Sequence, residues 1–409
     1  MGFVAQAGVK PLAGLRVLDL SRVLAGPWAT QTLADLGADV IKVEQPGQGD
    51  DTRHWGPPWH ESGDEKVAAY YLSANRGKRS VAVDFSKPEG AALVARMAAD
   101  CDVLVENFRV GGLKKFGLDA ATLRAANPRL IYASITGFGQ DGPYAARAGY
   151  DYIIQGMGGL MSLTGLPDGE PGGGPMRAGV AVADLFTGMY TASAIMAALV
   201  RRGATGEGAT IDMALFDTQL AMLANQASNA IVSGKDPVRQ GVGHPNIVPY
   251  QPFEAADQPI IIAVGNDRQF AKLATLLGRG QWADEPGYAT NAARVANREL
   301  LVPMIAEIIA ARPAADWLAM LDEAGIPAGP INSVTQALGD PQAVHRGVRV
   351  SAGGGALGPV EMVGSPIRID GARQDADLPP PGLGEHGDLL GEWVAAEELA
   401  RLRREGIVG

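Results

Sequence analysis

Short apolar segments alternate with helix-like segments through the first third of the chain. The apolar segments have the length and continuity of strands that are buried on both faces of a sheet. The predicted strands are 16–20, 40–43, 80–84, 103–105 and 130–134, and the predicted helices between them are 31–36, 88–100 and 120–126. This alternation predicts βαβ units and therefore a parallel sheet with helices on both faces. Ligands of such sheets bind at the carboxyl ends of the strands.

The composition of the sequence changes after residue 230. Two predicted helices, 185–202 and 211–229, precede a stretch rich in Gly, Pro and Asn at 234–252, which is followed by a hairpin at 252–264, helical segments at 270–277 and 300–311, and a polar helix at 389–405. We therefore predict a large, doubly wound, Rossmann-like α/β domain over 1–220. A smaller α+β domain is predicted over 221–330, and a C-terminal segment over 331–409.

Composition and charge exclude several classes of protein. The chain has 409 residues, a formal net charge of −10 and a single cysteine, Cys101. The acidic balance disfavours wrapping around nucleic acid, and one cysteine excludes internal disulfides and cysteine-built metal sites. The N-terminus has no signal-peptide pattern, and no uninterrupted apolar run has the length of a membrane span. We expect a cytoplasmic protein whose partners are neither nucleic acids nor membranes.

Common catalytic signatures do not occur in the chain. The five histidines never fall at a metal-ligand spacing, and neither a Gly-x-Ser-x-Gly elbow nor a P-loop is present, so we predict no metal site. One Gly-x-Gly-x-x-Gly, formed by Gly137, Gly139 and Gly142, follows a predicted strand. Residues 141–143 are typical of a turn rather than of a helix start, so we assign no dinucleotide site to it.

Four segments carry a resemblance to a known family. They are 15–27, 36–53, 105–112 and 181–188, and they contain Arg-Val-Leu-Ala-Gly-Pro, Gly-Asp-Asp-Thr-Arg, Val-Glu-Asn-Phe and Ala-Asp-Leu-Phe-Thr-Gly in that order. Together they resemble the family III CoA-transferases. The resemblance extends through 244–251 and 263–267, and thus covers nearly the whole chain. It implies an α/β fold with a smaller second domain, a C-terminal segment that returns to the large domain, and an interlocked homodimer.

Asp184 is the candidate catalytic residue. By position alone it is an Asp just before a predicted helix, which is an ordinary N-cap. The resemblance implies that its carboxylate is the nucleophile, and a helix dipole would help to keep it ionised at neutral pH. The two interpretations are compatible. The implied chemistry runs through an aspartyl anhydride and an aspartyl-CoA thioester, so that acyl-CoA is a substrate and no cofactor is bound permanently.

The resemblance also implies a set of CoA contacts and two substrate-side residues. The CoA contacts are Arg22, Val23, Leu24, Ala25, Gln45, Lys78, Arg79, Asn107, Phe108, Arg109, Gly112, Lys115, Tyr150 and Asp151. Lys78 and Arg79 belong to a basic run at 76–79, and cations suit the phosphates of CoA. Trp55 and Arg53 are the substrate-side residues. Residues 22–25 match the loop that receives the thiol end of CoA in the family, and Gln45 stands where the family often has an Arg.

The substrates and two rival functions follow from smaller features. The segments 49–58 and 326–332 look most like succinyl-CoA:glutarate-type transferases, which suggests succinyl-CoA as donor and a dicarboxylic acid as acceptor, with Arg53, Arg147 or Arg177 facing its distal carboxylate. The nearest rival is a 2-methylacyl-CoA racemase of the same superfamily. Such racemases use a Gly-His-Asp, whereas this chain has Gly149-Tyr150-Asp151, and a phenol is a poor base at pH 7. A non-catalytic CoA-binding protein is the second alternative.

Overall fold

The computed structural model describes residues 10–409, which form two compact units. The first unit consists of residues 10–159, 178–228 and 341–409, and the second of residues 160–177 and 229–340. Residues 1–9, which the sequence assigns to the first predicted domain, lie outside the described residues.

The strands are short and most of them fall in the first unit. In chain order they are β1 Arg16–Asp19, β2 Asp39–Glu44, β3 Trp59–Ser62, β4 Glu65–Ala68, β5 Lys78–Ala82, β6 Val103–Glu106, β7 Ile131–Thr136, β8 Ala209–Ala214, β9 Tyr250–Glu254, β10 Pro259–Ala263, β11 Ala328–Pro330, β12 Arg349–Ala352, β13 Val360–Val363, β14 Arg368–Ile369 and β15 Ala372–Arg373.

The helices vary from one turn to more than six. In chain order they are α1 Ala25–Asp35, α2 Ala69–Leu72, α3 Pro88–Ala99, α4 Ala120–Ala126, α5 Asp151–Met157, α6 Leu160–Leu163, α7 Val182–Thr205, α8 Leu215–Met222, α9 Asn225–Ser233, α10 Asp267–Leu276, α11 Asn291–Ala296, α12 Arg298–Ile309, α13 Ala314–Glu323, α14 Val334–Gly339, α15 Pro341–His345 and α16 Ala396–Arg404. Short 3-10 turns cover Asp51–His54, Lys114–Phe116, Gly280–Ala283 and Gly387–Glu392.

The first unit is built on a six-stranded sheet with the order β5-β2-β1-β6-β7-β8. Every neighbouring pair in it is parallel, and Val17 of β1, for example, pairs with Val40 of β2 and Val103 of β6. Counted along the chain, these strands lie in the order 3-2-1-4-5-6, which is the Rossmann-type order. The predicted parallel sheet is therefore confirmed. In this sheet, the strands that follow β1 are added on one side of it, and the strands from β6 onward are added on the other side. A crevice therefore opens between the carboxyl ends of β1 and β6.

The sheet is buried on both faces, as the continuous apolar runs predict. Leu18 and Ile41 belong to a core on one face, and their neighbours Val17 and Val40 belong to a core on the other. Successive side chains of a strand point to opposite faces, so one short apolar run supplies both cores.

Two sequence predictions in this unit need correction. Residues 209–214 form strand β8 and not the start of a helix, because they pair in parallel with β7, while helix α8 begins only at Leu215. Helix α7 begins three residues earlier than predicted, at Val182, so Asp184 lies inside its first turn. The N-cap position belongs to Ala181, which offers no side-chain cap.

Helix α7 is also the one described helix with the length and apolar content of a membrane span. A long core helix has the same properties, and α7 packs closely against α1. A Cβ added to Gly188 would lie 2.7 Å from the carbonyl oxygen of Ala25 and 3.1 Å from Cβ of Trp28. Gly188 therefore permits the close approach of the two helices.

The second unit is an α+β body with its own core. Strands β9, β10 and β11 form an antiparallel sheet in the order β11-β10-β9. Helices α10, α12 and α13 pack their apolar faces, including Phe270, Ile305 and Trp317, against Ile260 and Ile262 of the central strand. Alternation of buried and exposed positions along β10 is what a sheet with one covered face requires.

Candidate active site

A cleft of about 470 Å³ lies in the first unit, beside the carboxyl ends of β6 and β7. Its walls come from the loop between β1 and α1, the loop after β6, the segment after β7, and the N-terminal turn of α7. The cleft brings together twelve of the residues that the sequence assigned to the site: Arg22, Val23, Leu24, Ala25, Asn107, Phe108, Arg109, Gly112, Lys115, Tyr150, Asp151 and Asp184. These residues come from four separate stretches of sequence, and the topology of the sheet collects them.

Two loops of the cleft are joined by the side-chain amide of Asn107. Its Oδ1 accepts a hydrogen bond from the backbone N–H of Arg22 at 2.9 Å, and its Nδ2 donates to the carbonyl oxygen of Arg22 at 2.7 Å. Asn107 thereby satisfies both backbone polar groups of a residue in the other loop. This link spans the point at which the strand order reverses.

Asp184 occupies the third position of α7, and the helix is capped by a different residue. Oδ1 of Asp151 accepts hydrogen bonds from the backbone N–H groups of Ala183, at 2.8 Å, and Asp184, at 3.3 Å. Oδ2 of Asp151 accepts from Nε2 of Gln155 at 2.6 Å. Asp151, the first residue of α5, therefore caps the N-terminus of α7, a role that the sequence assigned to Asp184. The Asp184 carboxylate is left available to the cleft.

Burial of Asp184, reinforced by the neighbouring Asp151 carboxylate, raises the pKa of its carboxyl to about 7. Two effects dominate here, loss of hydration and a like charge, and both disfavour the ionised form. The sequence-based expectation that the helix dipole keeps Asp184 ionised is thus outweighed in the free site. A carboxylate with a pKa near neutrality is a stronger base and nucleophile than an ordinary one, and such shifts are typical of functional sites.

Two glycines set the position of the segment that carries Asp151. A Cβ on Gly137 would lie 2.5 Å from Cα of Gly149, and a Cβ on Gly149 would lie 2.3 Å from Cα of Gly137. The two backbones therefore touch in a way that no side chain allows. Gly137 belongs to the Gly-x-Gly-x-x-Gly sequence, so this motif has a packing role next to Tyr150 and Asp151.

Four cations line the cleft. Arg22, Arg109, Lys115 and Arg147 all contribute, and each of these side chains is exposed. Arg22 pairs with Asp51 at 3.1 Å, and Arg147 stacks on the ring of Tyr144 at 3.9 Å. Four cations around one cleft suit an anionic ligand.

Asp51, Thr136 and Arg147 also line the cleft although the sequence did not assign them CoA contacts. Arg147 was considered only for the distal carboxylate of the acid, Asp51 lies within the Gly-Asp-Asp-Thr-Arg segment that carries the resemblance, and no sequence signal pointed to Thr136.

Lys78 lies outside the cleft and in the core. It is fully buried, and Nζ donates three hydrogen bonds: to Oδ2 of Asp19, the carbonyl oxygen of Pro27 and Oδ1 of Asn75, each at 3.0 Å. An ammonium group has three N–H donors, so none remains for a phosphate. The position of Lys78 does not support the CoA contact that the sequence suggested.

Arg53 is likewise committed to internal contacts. It is buried, its Nε and Nη2 donate to the two carboxylate oxygens of Glu44 at 2.8 and 2.7 Å, and Nη2 also donates to the hydroxyl of Tyr71. Arg53 is only 5% exposed and does not line the cleft, so it is not placed to meet a substrate carboxylate there. A structural role for Arg53 replaces the substrate-side one.

The other three predicted residues also lie away from the cleft lining. Arg79 forms an ion pair with Asp39, and Gln45 is exposed at the end of β2 and hydrogen-bonds the Asp84 carboxyl. Trp55 is 46% exposed and packs edge-on against Tyr70 with ring centroids 5.3 Å apart. Burial, with the charges of Asp184, Asp151 and Asp50, raises the pKa of Tyr70 to about 12.

Metal ligands and reactive thiols have no counterpart at this site. Among residues 10–409, no group of three or more His, Cys, Asp or Glu side chains is placed to hold a metal ion. Cys101 is buried, and burial raises the pKa of its thiol to about 12, which suits a core residue and not a nucleophile.

Comparison with known proteins agrees with this site. The family model described as CoA-transferase family III matches residues 12–387. Succinate–glutarate CoA-transferase of Agrobacterium fabrum is 52% identical over 400 residues, which cover 95% of this chain and 97% of that protein. Succinyl-CoA:glutarate CoA-transferase of Mus musculus is 43% identical over 403 residues, 98% of this chain and 91% of that protein.

A solved structure agrees as well. The crystal structure of a CAIB/BAIF family protein from Brucella suis is 52% identical, with a TM-score of 0.82, and the match covers 95% of this chain and 99% of that one. The chain therefore belongs to CoA-transferase family III, and it is a CoA-transferase.

Proposed function

We propose that the protein moves CoA from succinyl-CoA to a dicarboxylic acid such as glutarate, with the carboxylate of Asp184 as the nucleophile. The observation that carries the proposal is the cleft itself. One carboxyl of raised pKa faces a space lined by four exposed cations, in a chain whose relatives are described as succinate–glutarate transferases.

The proposed reaction has four steps. Asp184 attacks the donor thioester carbonyl, which forms a mixed anhydride and releases the CoA thiolate. The thiolate attacks the aspartyl carbonyl, which forms the aspartyl-CoA thioester and frees the donor acid. The acceptor carboxylate attacks this thioester, and the thiolate, released again, attacks the acceptor carbonyl of the new anhydride. The acceptor leaves as acyl-CoA, and Asp184 is free once more.

The protein's own groups would serve this sequence without a resident cofactor. CoA enters as a substrate, and the cations of the cleft, with Lys115 and Arg109 foremost, would hold its phosphates. Of the three arginines considered for the distal carboxylate of the acid, Arg147 lines the cleft, Arg53 is committed to Glu44, and Arg177 is not part of the cleft lining. Arg147 is the one we propose.

We also propose a cytoplasmic homodimer in which the two chains interlock. An exposed apolar surface in the first unit supports a protein partner: Phe186, Met189 and Tyr190 of α7 and Tyr150 and Ile153 beside it are 42–64% exposed. Surfaces of this kind mark interfaces. Light scattering should give twice the chain mass of 42.5 kDa, and a stable monomer would contradict the dimer.

The Asp184→Asn variant tests the nucleophile. We expect CoA transfer from succinyl-CoA to glutarate to fall at least about 1000-fold, because an amide does not form the anhydride. Asp217→Asn is the matched control: Asp217 has the same third position in α8, so its loss should leave transfer unchanged. An Asp184→Asn enzyme with wild-type turnover would refute the mechanism, and CoA binding by that inactive variant would separate loss of chemistry from loss of the site.

A further inference from the structure

Side chains hold five backbone polar groups of the loop between β1 and α1, in Ser21, Arg22 and Val23. We call residues 21–25 the thiol-end loop; they include Ala25, the first residue of α1. The backbone N–H of Ser21 donates to Asp19 at 2.9 Å, and its carbonyl oxygen accepts from Nζ of Lys42 at 2.8 Å. Asn107 binds both backbone groups of Arg22, as described above. The next N–H, that of Val23, is held by Asp50.

Val23 has a backbone conformation that its side chain disfavours. Its φ is 72°, in the left-handed region, where a β-branched residue is strained. The N–H of Val23 donates to both carboxylate oxygens of Asp50, at 3.2 Å each. Strained residues of this kind persist where their surroundings over-determine them, and they cluster at functional sites.

Asp50 is itself fixed by a fully buried ion pair. Its Oδ2 lies 2.9 Å from Nζ of Lys42, and neither side chain is exposed. Oδ1 of Asp50 also accepts from the backbone N–H of Thr52 at 3.0 Å and from its hydroxyl at 2.8 Å. The carboxylate therefore cannot rotate away from Val23 without losing these contacts. The Lys42 ammonium group also donates to the carbonyl oxygen of Ser21, so it links Asp50 to the thiol-end loop.

We infer that Asp50, fixed by Lys42, is a positioning residue for CoA transfer: it holds Val23 in the left-handed conformation and so sets the shape of the thiol-end loop that lines the cleft with Asp184. The inference rests on the proposed function, and on the family resemblance, which implies that this loop receives the thiol end of CoA. In the absence of the Asp50 carboxylate, Val23 relaxes to an ordinary conformation, and the loop moves away from the geometry that the reaction needs. Small displacements of this kind are costly because the reacting atoms must be aligned.

The test is a double-mutant cycle between Asp50→Asn and Val23→Gly. Glycine adopts the left-handed conformation freely, so a chain with Val23→Gly needs no anchor there. We expect Asp50→Asn alone to lower kcat/KM for succinyl-CoA about 100-fold. In the Val23→Gly background the loss from Asp50→Asn should be about tenfold smaller. An equal loss in both backgrounds, or no loss from Asp50→Asn, would overturn the inference.

Stability controls separate positioning from folding. Asp35→Asn breaks another buried pair of the same unit, that of Asp35 with Arg76, which does not touch the thiol-end loop. It should lower the thermal midpoint about as much as Asp50→Asn and leave kcat/KM within about twofold of wild type. If Asp50→Asn does not fold, Lys42→Met/Asp50→Asn removes both charges together and is used in the same cycle.

Binding of CoA gives a readout that does not need turnover. By titration calorimetry, Asp50→Asn should weaken CoA binding about tenfold, and Val23→Gly/Asp50→Asn should bind CoA as Val23→Gly does. A wild-type protein that binds CoA but transfers it from no donor would sink the proposed function and leave this cycle intact. A binding loss that Val23→Gly does not rescue would sink the inference alone.

Discussion

Carboxylates lie in two regions close to the cleft. In one region they form ion pairs with buried cations, and in the other they do not. Below the thiol-end loop, Asp19, Glu44 and Asp50 are each paired with a buried cation at 3.0 Å or less. At the start of α7, Asp151 and Asp184 form no ion pair with any residue of 10–409. The first region has its charges neutralised internally, and the second has not.

The pKa values follow this difference. Lys78 and Lys42, with hydrogen bonds from Ser21 and Thr30, outweigh burial and lower the pKa of Asp19 to about 2. Burial and Asp151 together raise that of Asp184 to about 7. Burial acts on both acids, so the lysines and hydroxyls around Asp19 account for the opposite directions of the two pKa shifts. The paired acids stabilise the fold, Asp151 caps α7, and Asp184 is available for chemistry.

Among the substitutions that test this difference between paired and unpaired acids, Lys78→Met is expected to have the largest effect. Removal of the ammonium group leaves Asp19 buried without a partner, so we expect the free energy of unfolding in urea to fall by about 3–5 kcal/mol. Lys115→Met is the control, because Lys115 is exposed and its loss should change stability by less than about 0.5 kcal/mol. A Lys78→Met protein of normal stability that binds CoA poorly would restore the phosphate contact suggested by the sequence.

A smaller effect sharpens the contrast through pH. The pKa of Asp184 is higher in the folded protein than in the unfolded chain, so the folded state binds more protons and stability falls as pH rises from about 4 to about 7. Asp184→Asn does not carry this penalty. At pH 8 we expect the variant to be more stable than wild type by about 1–2 kcal/mol, and at pH 3 to be equal to it. Urea titrations at both values measure the difference, and equal stability at pH 8 would contradict the raised pKa.

The smallest expected effect concerns the cations of the cleft. Lys115→Ala should raise the Kd for CoA about tenfold, which corresponds to one charge-assisted phosphate contact, with no change in the thermal midpoint. Gln45→Ala, outside the cleft, is the matched control and should leave Kd unchanged. Equal effects of the two variants would mean that the nucleotide lies elsewhere.

The parallel sheet was predictable because strands buried on both faces leave continuous apolar runs. Strand β8 was not predictable, because it is followed directly by α8 and no turn residue separates the two elements. The sequence pattern therefore indicated a single helix. The candidate site was predictable as far as short motifs place backbone loops. Asp151 as the cap of α7 was not, because its partners are 32 and 33 residues away.

The sequence also could not predict which cations are buried. Lys78 and Arg79 stand side by side in one basic run, and only the fold shows that Lys78 points to Asp19, 59 residues away. Arg53 pairs with Glu44 across a turn of the chain that no local pattern specifies. A sequence gives the charge of a residue but not its partner, and the partner decides between a structural and a ligand-binding role.

The proposed mechanism requires Asp184 to become acylated during turnover. Incubation with succinyl-CoA, trapping with hydroxylamine and peptide mass analysis test it most directly, with Asp217 as the internal reference. We predict a hydroxamate at Asp184 that depends on succinyl-CoA and is lost when glutarate is added in excess before trapping. An unmodified Asp184 peptide from an enzyme that is turning over would contradict the account.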